Sequence, residues 1–162
     1  MIRSHLLTAL CLSLALATPS LAQETPEAAD ELVLQAEGGE PATFDLEALK
    51  AMPVTEFETS TVWTDGVIRF TGVALADLLE DADAEGTVIR AMARDGYAVE
   101  IPVTDAVPGG PIVAYQMDGE PLDVEMMGPY WIIYPYDSDE AYKAKEFEDR
   151  SIWQLKSLTL TD

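Results

Sequence analysis

Three adjacent hydroxyls, Thr59-Ser60-Thr61, follow two carboxylates on alternate residues, Glu56 and Glu58. These are the side chains whose types and spacing could do chemistry. A hydroxyl is a candidate nucleophile, and two carboxylates on one face of a strand are a candidate acid–base pair. Each needs a partner that the rest of the chain withholds. The sequence has one histidine, His5, and one cysteine, Cys11. Both lie in residues 1–22, which read as an export signal. Arg3 gives a positive start, Leu6 to Ala17 is an apolar run too short to span a bilayer, and Ser20-Leu21-Ala22 suits a cleavage site. Cleavage after Ala22 is expected to leave Gln23 to Asp162, with no imidazole and no thiol. That excludes disulfides, zinc or copper sites built on His and Cys, and Ser-His-Asp or Cys-His nucleophilic mechanisms. Haem ligation would fall to Met, Tyr or Lys.

The other polar chemistry is scarce. Arg69, Arg90, Arg94, Lys143, Lys145 and Arg150 are cations available to an anion pocket, or simply partners for neighbouring carboxylates. Trp63, Trp131, Trp153, Tyr97, Tyr115 and Tyr130 can line an aromatic pocket or fill the core. Asp81, Asp83 and Glu85 have the opening spacing of a calcium loop, but the glycine and the closing Glu are out of register. No metal ligand is assigned. The chain carries a net charge of −21, and losing Arg3 makes it one unit more negative. Nucleic acid and anionic membrane surfaces are excluded as partners. A small anionic or aromatic ligand, or a periplasmic protein, remains. The form of the signal suits the periplasm, with no membrane insertion after cleavage.

These side chains must be positioned by short elements. Residues 23–31 read as a disordered leader, and 32–162 as one domain with its own core. Glu31 to Gln35 and Ala42 to Phe44 read as strands, and Asp45 caps a helix through Leu46, Leu49 and Met52 that Pro53 ends. Thr55 to Val62 alternates as a strand, Asp65-Gly66 suits a type I′ hairpin turn, and a second strand runs to Gly72. Val73, Leu75, Leu78 and Leu79 then share a helix face. Asp95-Gly96 and Asp118-Gly119 are further hairpin turns, the first joining Thr87–Ala93 to Tyr97–Val103, the second closing Ile112–Met117. Tyr130 to Tyr134 is a continuous apolar run and predicts a buried strand. A last strand is predicted over Ile152 to Leu160, with Ile152, Gln154, Lys156, Leu158 and Leu160 on one side. About eight short strands and two or three short helices make a mostly antiparallel, β-rich α+β domain. No glycine-rich phosphate loop precedes a helix.

The ordered set of Trp63, Gly72 to Leu79, Asp95-Gly96-Tyr97, Ala114 to Leu122, Gly128-Pro129 and Trp153 resembles the molybdopterin-binding oxidoreductase domain of the sulfite oxidase family. The likeness covers residues 40–162. It implies the mixed, mostly antiparallel fold of that family and, as a possible cofactor, molybdopterin. The family holds molybdenum through one cysteine at a strand end, and the spacing to Trp63 puts Thr59, or Ser60 one step on, in that place. A family His-Gly-x-Pro followed by arginine corresponds to Met127-Gly128-Pro129-Tyr130-Trp131, so the histidine is absent and Trp131 stands where an arginine would. Tyr142-Lys143 is the counterpart of a family Tyr-Lys pair. Thr59, Ser60, Arg94 and Lys143 are therefore the cofactor-binding candidates, by family position or charge. Trp63, Tyr97, Tyr115 and Trp131 are the ligand-pocket candidates. No catalytic residue is assigned. The expectation is a non-catalytic ligand- or partner-binding module with no cofactor. The alternative is a molybdopterin-dependent oxidoreductase with a non-cysteine metal site.

Overall fold

The computed structural model describes residues 30–162. The export signal and most of the predicted leader lie outside the described residues. At the end of that leader, the Asp30 carbonyl accepts the Tyr130 hydroxyl at 2.6 Å.

Ten strands form two five-stranded sheets around one hydrophobic core. The first sheet takes β1 (Leu32–Ala36), β2 (Ala42–Phe44), β5 (Val88–Ala93), β6 (Ala98–Pro102) and β10 (Leu155–Thr161) in the order β2-β1-β10-β5-β6. The second takes β3 (Val54–Ser60), β4 (Val67–Ala74), β7 (Ile112–Met117) and β8 (Glu120–Pro121), with β9 (Trp131–Ile133) also paired to β7. Every pairing is antiparallel except β1 with β10. The helices are short: α1 (Leu46–Ala51), α2 (Leu75–Asp81) and α3 (Lys145–Arg150). This is the mixed, mostly antiparallel fold that the sequence predicts. Asp45 caps α1 as expected, its carboxylate accepting the Ala48 N–H at 2.7 Å.

Three local expectations need correction. Asp65-Gly66 is not a two-residue turn. Ser60 pairs with Val67 across a six-residue loop, in which Gly66 but not Asp65 has positive φ. The type I′ pattern falls instead on Asp118-Gly119, where both residues have positive φ (52° and 84°) and Met117 pairs with Glu120. Secondly, Val73 belongs to β4, and α2 starts only at Leu75, whose N–H is taken by the Pro111 carbonyl. Thirdly, the last strand starts at Leu155, because Gln154 has a left-handed backbone (φ 50°). A register shift between Leu155 and Ser157 then turns Lys156 out to solvent while Leu155, Leu158 and Leu160 stay buried.

The segment before β10 is what ties the two sheets together near the site. Ile152 bridges Ile132 of β9, and the Leu155 N–H donates to the Tyr130 carbonyl at 2.9 Å. The five residues Tyr130 to Tyr134 are all buried, although only the middle three are strand. The second sheet also carries a bulge on β7, where Thr71 and Gly72 face Gln116 and Ala114 and Tyr115 is the extra residue. There the backbones come so close that a Cβ on Gly72 would stand 2.1 Å from the Val113 carbonyl oxygen and 2.6 Å from the Ala114 Cα. Only glycine fits, because both obstacles are backbone. Gly72→Ala should therefore cost about 3 kcal/mol of unfolding free energy in a denaturant titration. A loss below about 1 kcal/mol would contradict this close approach.

Candidate functional site

The hydroxyl run sits at the end of β3, and each of its members is already engaged. Thr59 is fully buried, and its Oγ1 accepts the Asp137 N–H at 3.0 Å. Ser60 donates twice to one Asp137 carboxylate oxygen, from its N–H at 2.6 Å and its hydroxyl at 2.8 Å. Thr61 Oγ1 accepts the N–H groups of Trp63 and Thr64 at 3.1 and 3.0 Å and so shapes the loop that presents Trp63. The Ser60 N–H, and after it the Ser60 hydroxyl, hold the Asp137 carboxyl below its ordinary value of 3.8. Lys143 lines the same shallow cleft, of about 350 Å³, but its ammonium is bonded to Glu140 at 2.8 Å. The acid–base pair proposed on β3 is likewise occupied. Glu56 accepts the Thr71 hydroxyl at 2.8 Å, and Glu58 pairs with Arg69 at 3.0 Å.

The aromatic candidates fall in two places. Trp63, Trp131 and Trp153 form a triangle with ring centroids 5.8, 5.7 and 6.3 Å apart, every pair meeting edge to face. Phe70 meets Trp131 from the other side at 5.4 Å, and Tyr136 approaches Trp63 at 6.4 Å. Edge-to-face contact at these distances is the favoured geometry for ring quadrupoles. Trp131 is fully buried, with its indole N–H unpaired. Over this triangle lies an open cleft of about 440 Å³, lined by Trp63, Trp153, Tyr97, Asp95, Glu148 and Asp149 among others. The structure thus brings Trp63 and Tyr97 to one cleft with Trp131 beneath it. Tyr115 is elsewhere. It is buried on β7, and the charges that reach its hydroxyl come from Lys50 and Glu56. Arg94 sits in the turn between β5 and β6, its N–H donating to the Gln154 carbonyl and its guanidinium 3.9 Å from Asp30.

Behind the cleft, α3 is anchored by a part-buried network. Arg150 Nη1 and the Tyr134 hydroxyl both donate to Asp105 Oδ2, at 2.9 and 2.8 Å. The hydroxyls of Tyr136 and Ser151 share a hydrogen bond of 2.5 Å, and Ser151 also donates to the Phe147 carbonyl. Burial pushes the Tyr134 and Tyr136 phenols far up, so both remain protonated donors at any working pH.

Sequence reasoning missed the carboxylates. Asp95, Glu148, Asp149 and Asp137 have no local signal that separates them from the other acids of so acidic a chain. Among the described residues no three His, Cys, Asp or Glu side chains are grouped so as to hold a metal ion, Asp81, Asp83 and Glu85 included.

The Asp137 clasp carries a pH signature. A carboxyl whose folded pKa is depressed contributes stability above its unfolded value, and that contribution fades as pH falls through the lower folded value. Asp137→Asn should therefore be less stable than the parent at neutral pH, with the gap closing as pH drops below 3.8. Urea midpoints measured across that range check this. A gap that stays constant down to about pH 2 would contradict it.

No curated protein matches the chain. Among solved structures, the crystal structure of the sulfane dehydrogenase SoxCD from Paracoccus pantotrophus is similar, with a TM-score of 0.61 at 16% identity. The similarity covers 82% of this chain and 38% of that one, so the chain spans well under half the length of that relative, and the likeness is one of fold. The family model described as the oxidoreductase molybdopterin binding domain matches residues 21–136, well over half the chain. The chain therefore belongs to the oxidoreductase molybdopterin-binding domain family.

Proposed function

We propose that this domain is an exported, non-catalytic binding module that has kept the molybdopterin-binding fold and given up the metal. The observation that carries the reading is the clasp between Thr59, Ser60 and Asp137. Thr59, or Ser60 one step on, occupies the position that the family resemblance assigns to the metal-ligating thiolate, and the Thr59 oxygen is the buried one of the two. That oxygen already accepts a backbone N–H. A neutral hydroxyl is a poor substitute for thiolate on a soft-ligated metal. Beside it stands the Asp137 carboxylate, whose charge repels an anionic cofactor where a guanidinium would attract one. Lys143, the cation that lines the same cleft, is paired with Glu140, and Arg69, Arg94 and Arg150 have carboxylate partners in Glu58, Asp30 and Asp105. The residues present do not fit the cofactor.

Family membership favours one alternative, an oxidoreductase with a non-cysteine metal site at Thr59 or Ser60. Molybdenum content separates the two readings. Protein from the exported fraction of a host that makes the cofactor should contain almost none, whereas one atom per chain would overturn the binding-module reading. The export half of the proposal rests on the pattern of residues 1–22 and places the protein in the periplasm. Intact mass of the same sample should give Gln23 as the first residue. A chain retaining residues 1–22 would contradict release by cleavage.

A further inference from the structure

We propose that the cleft over the tryptophan triangle binds a small organic cation of the alkylated-ammonium class. This rests on the reading of the domain as a binding module and names the ligand chemistry of its cleft. The cleft combines two features that are uncommon together. Its walls include Trp63, Trp153 and Tyr97, and the last two are 39% and 59% exposed. Its charged lining is carboxylate: Asp95 from the β5–β6 turn, and Glu148 and Asp149 from α3. Asp149 is bonded to Lys145 at the rim. Among the described residues, Asp95 and Glu148 are in no ion pair. Arg94 adjoins Asp95 in sequence, but its guanidinium is turned to Asp30.

Aromatic faces and unpaired carboxylates attract the same kind of guest. The negative face of an indole draws a cation, most strongly when the cation is bulky and weakly hydrated. Trp63 and Trp153 are turned 68° to one another and give the cleft an aromatic corner. Asp95 and Glu148 add long-range attraction, and the net charge of −21 adds to it. An anion would meet repulsion from Asp95 and Glu148, and the Lys145 ammonium at the rim is bonded to Asp149. The carboxylates do not converge as a metal site requires, so a bare divalent ion is not the guest. A volume of about 440 Å³ suits a small molecule. Glu148, Asp149 and Trp153 also lie beyond residue 136, where the family match ends. The cleft is therefore built partly from sequence outside the matched region.

The test uses the full mature protein, with choline and tetramethylammonium as probes and 3,3-dimethylbutan-1-ol as the uncharged isostere of choline. Calorimetry and tryptophan fluorescence should both show saturable binding of the two cations, with the neutral alcohol about tenfold weaker or more. Trp153→Ala should weaken choline about tenfold; because the ring also packs on Trp63 and Trp131 the melting temperature falls too, so affinity is read well below it and Trp153→Phe, which keeps an aromatic face, should retain most of the binding. The double variant Asp95→Asn with Glu148→Gln should weaken the cations several-fold and leave the alcohol unaffected. Equal affinity for choline and the alcohol would overturn the proposal. So would an unchanged choline affinity in both variants, or no saturation at about 10 mM. The two readings fail separately. Molybdenum at one atom per chain overturns the binding-module reading, whereas a metal-free sample that ignores choline overturns this inference alone.

Discussion

Trp131 is the side chain on which the rest of the site depends. It is fully buried on β9, and three rings meet it edge to face: Phe70 from the second sheet, Trp63 from the loop after β3, and Trp153 from the segment before β10. Each comes from a different part of the chain, and Trp131 is where they meet. A buried aromatic contributes large apolar area together with a geometric preference, so this hub orients the other rings as well as filling space. Its one blemish is the unpaired indole N–H, a cost of about 1–3 kcal/mol that the packing offsets.

The identity of that residue matters for function. The resemblance implies an arginine where Trp131 stands, and a cysteine where Thr59, or Ser60 beside it, stands. A guanidinium and a thiolate serve an anionic, metal-bearing cofactor. An indole and a buried hydroxyl serve packing. The two changes are consistent with each other. Trp131 closes space under the cleft, and the Thr59 hydroxyl joins Ser60 in fixing the backbone at Asp137. The core runs from Leu32 to Leu160 and is filled by the chain's own side chains.

Much of this was legible in the sequence, and the failures are instructive. Alternation predicted most strands, and Asp45 predicted the start of α1, because those signals are local. The Asp-Gly turns show where local signals stop. The same dipeptide makes a two-residue turn at Asp118-Gly119 and closes a six-residue loop at Asp65-Gly66. What differs is the loop that Thr61 folds with its hydroxyl, which the dipeptide does not encode. The last strand departs from simple alternation because a left-handed Gln154 and a bulge break it. The aromatic residues of the site could be nominated by type, and two of them do line the cleft. Tyr115 could not be set aside, because the bulge opposite Gly72 is decided by tertiary pairing. The carboxylates that give the cleft its sign were invisible, since a chain with thirty acids offers no contrast.

The central claim is that this member of a molybdopterin-binding family no longer holds the cofactor for which the family is described. The most direct measurement mixes purified, metal-free mature protein with isolated molybdopterin and measures the pterin retained with the protein after ultrafiltration. The account predicts no retention above that of an unrelated acidic protein of similar size. Stoichiometric retention, one pterin per chain, would contradict it and would return the Thr59 end of β3 to the role of a cofactor site.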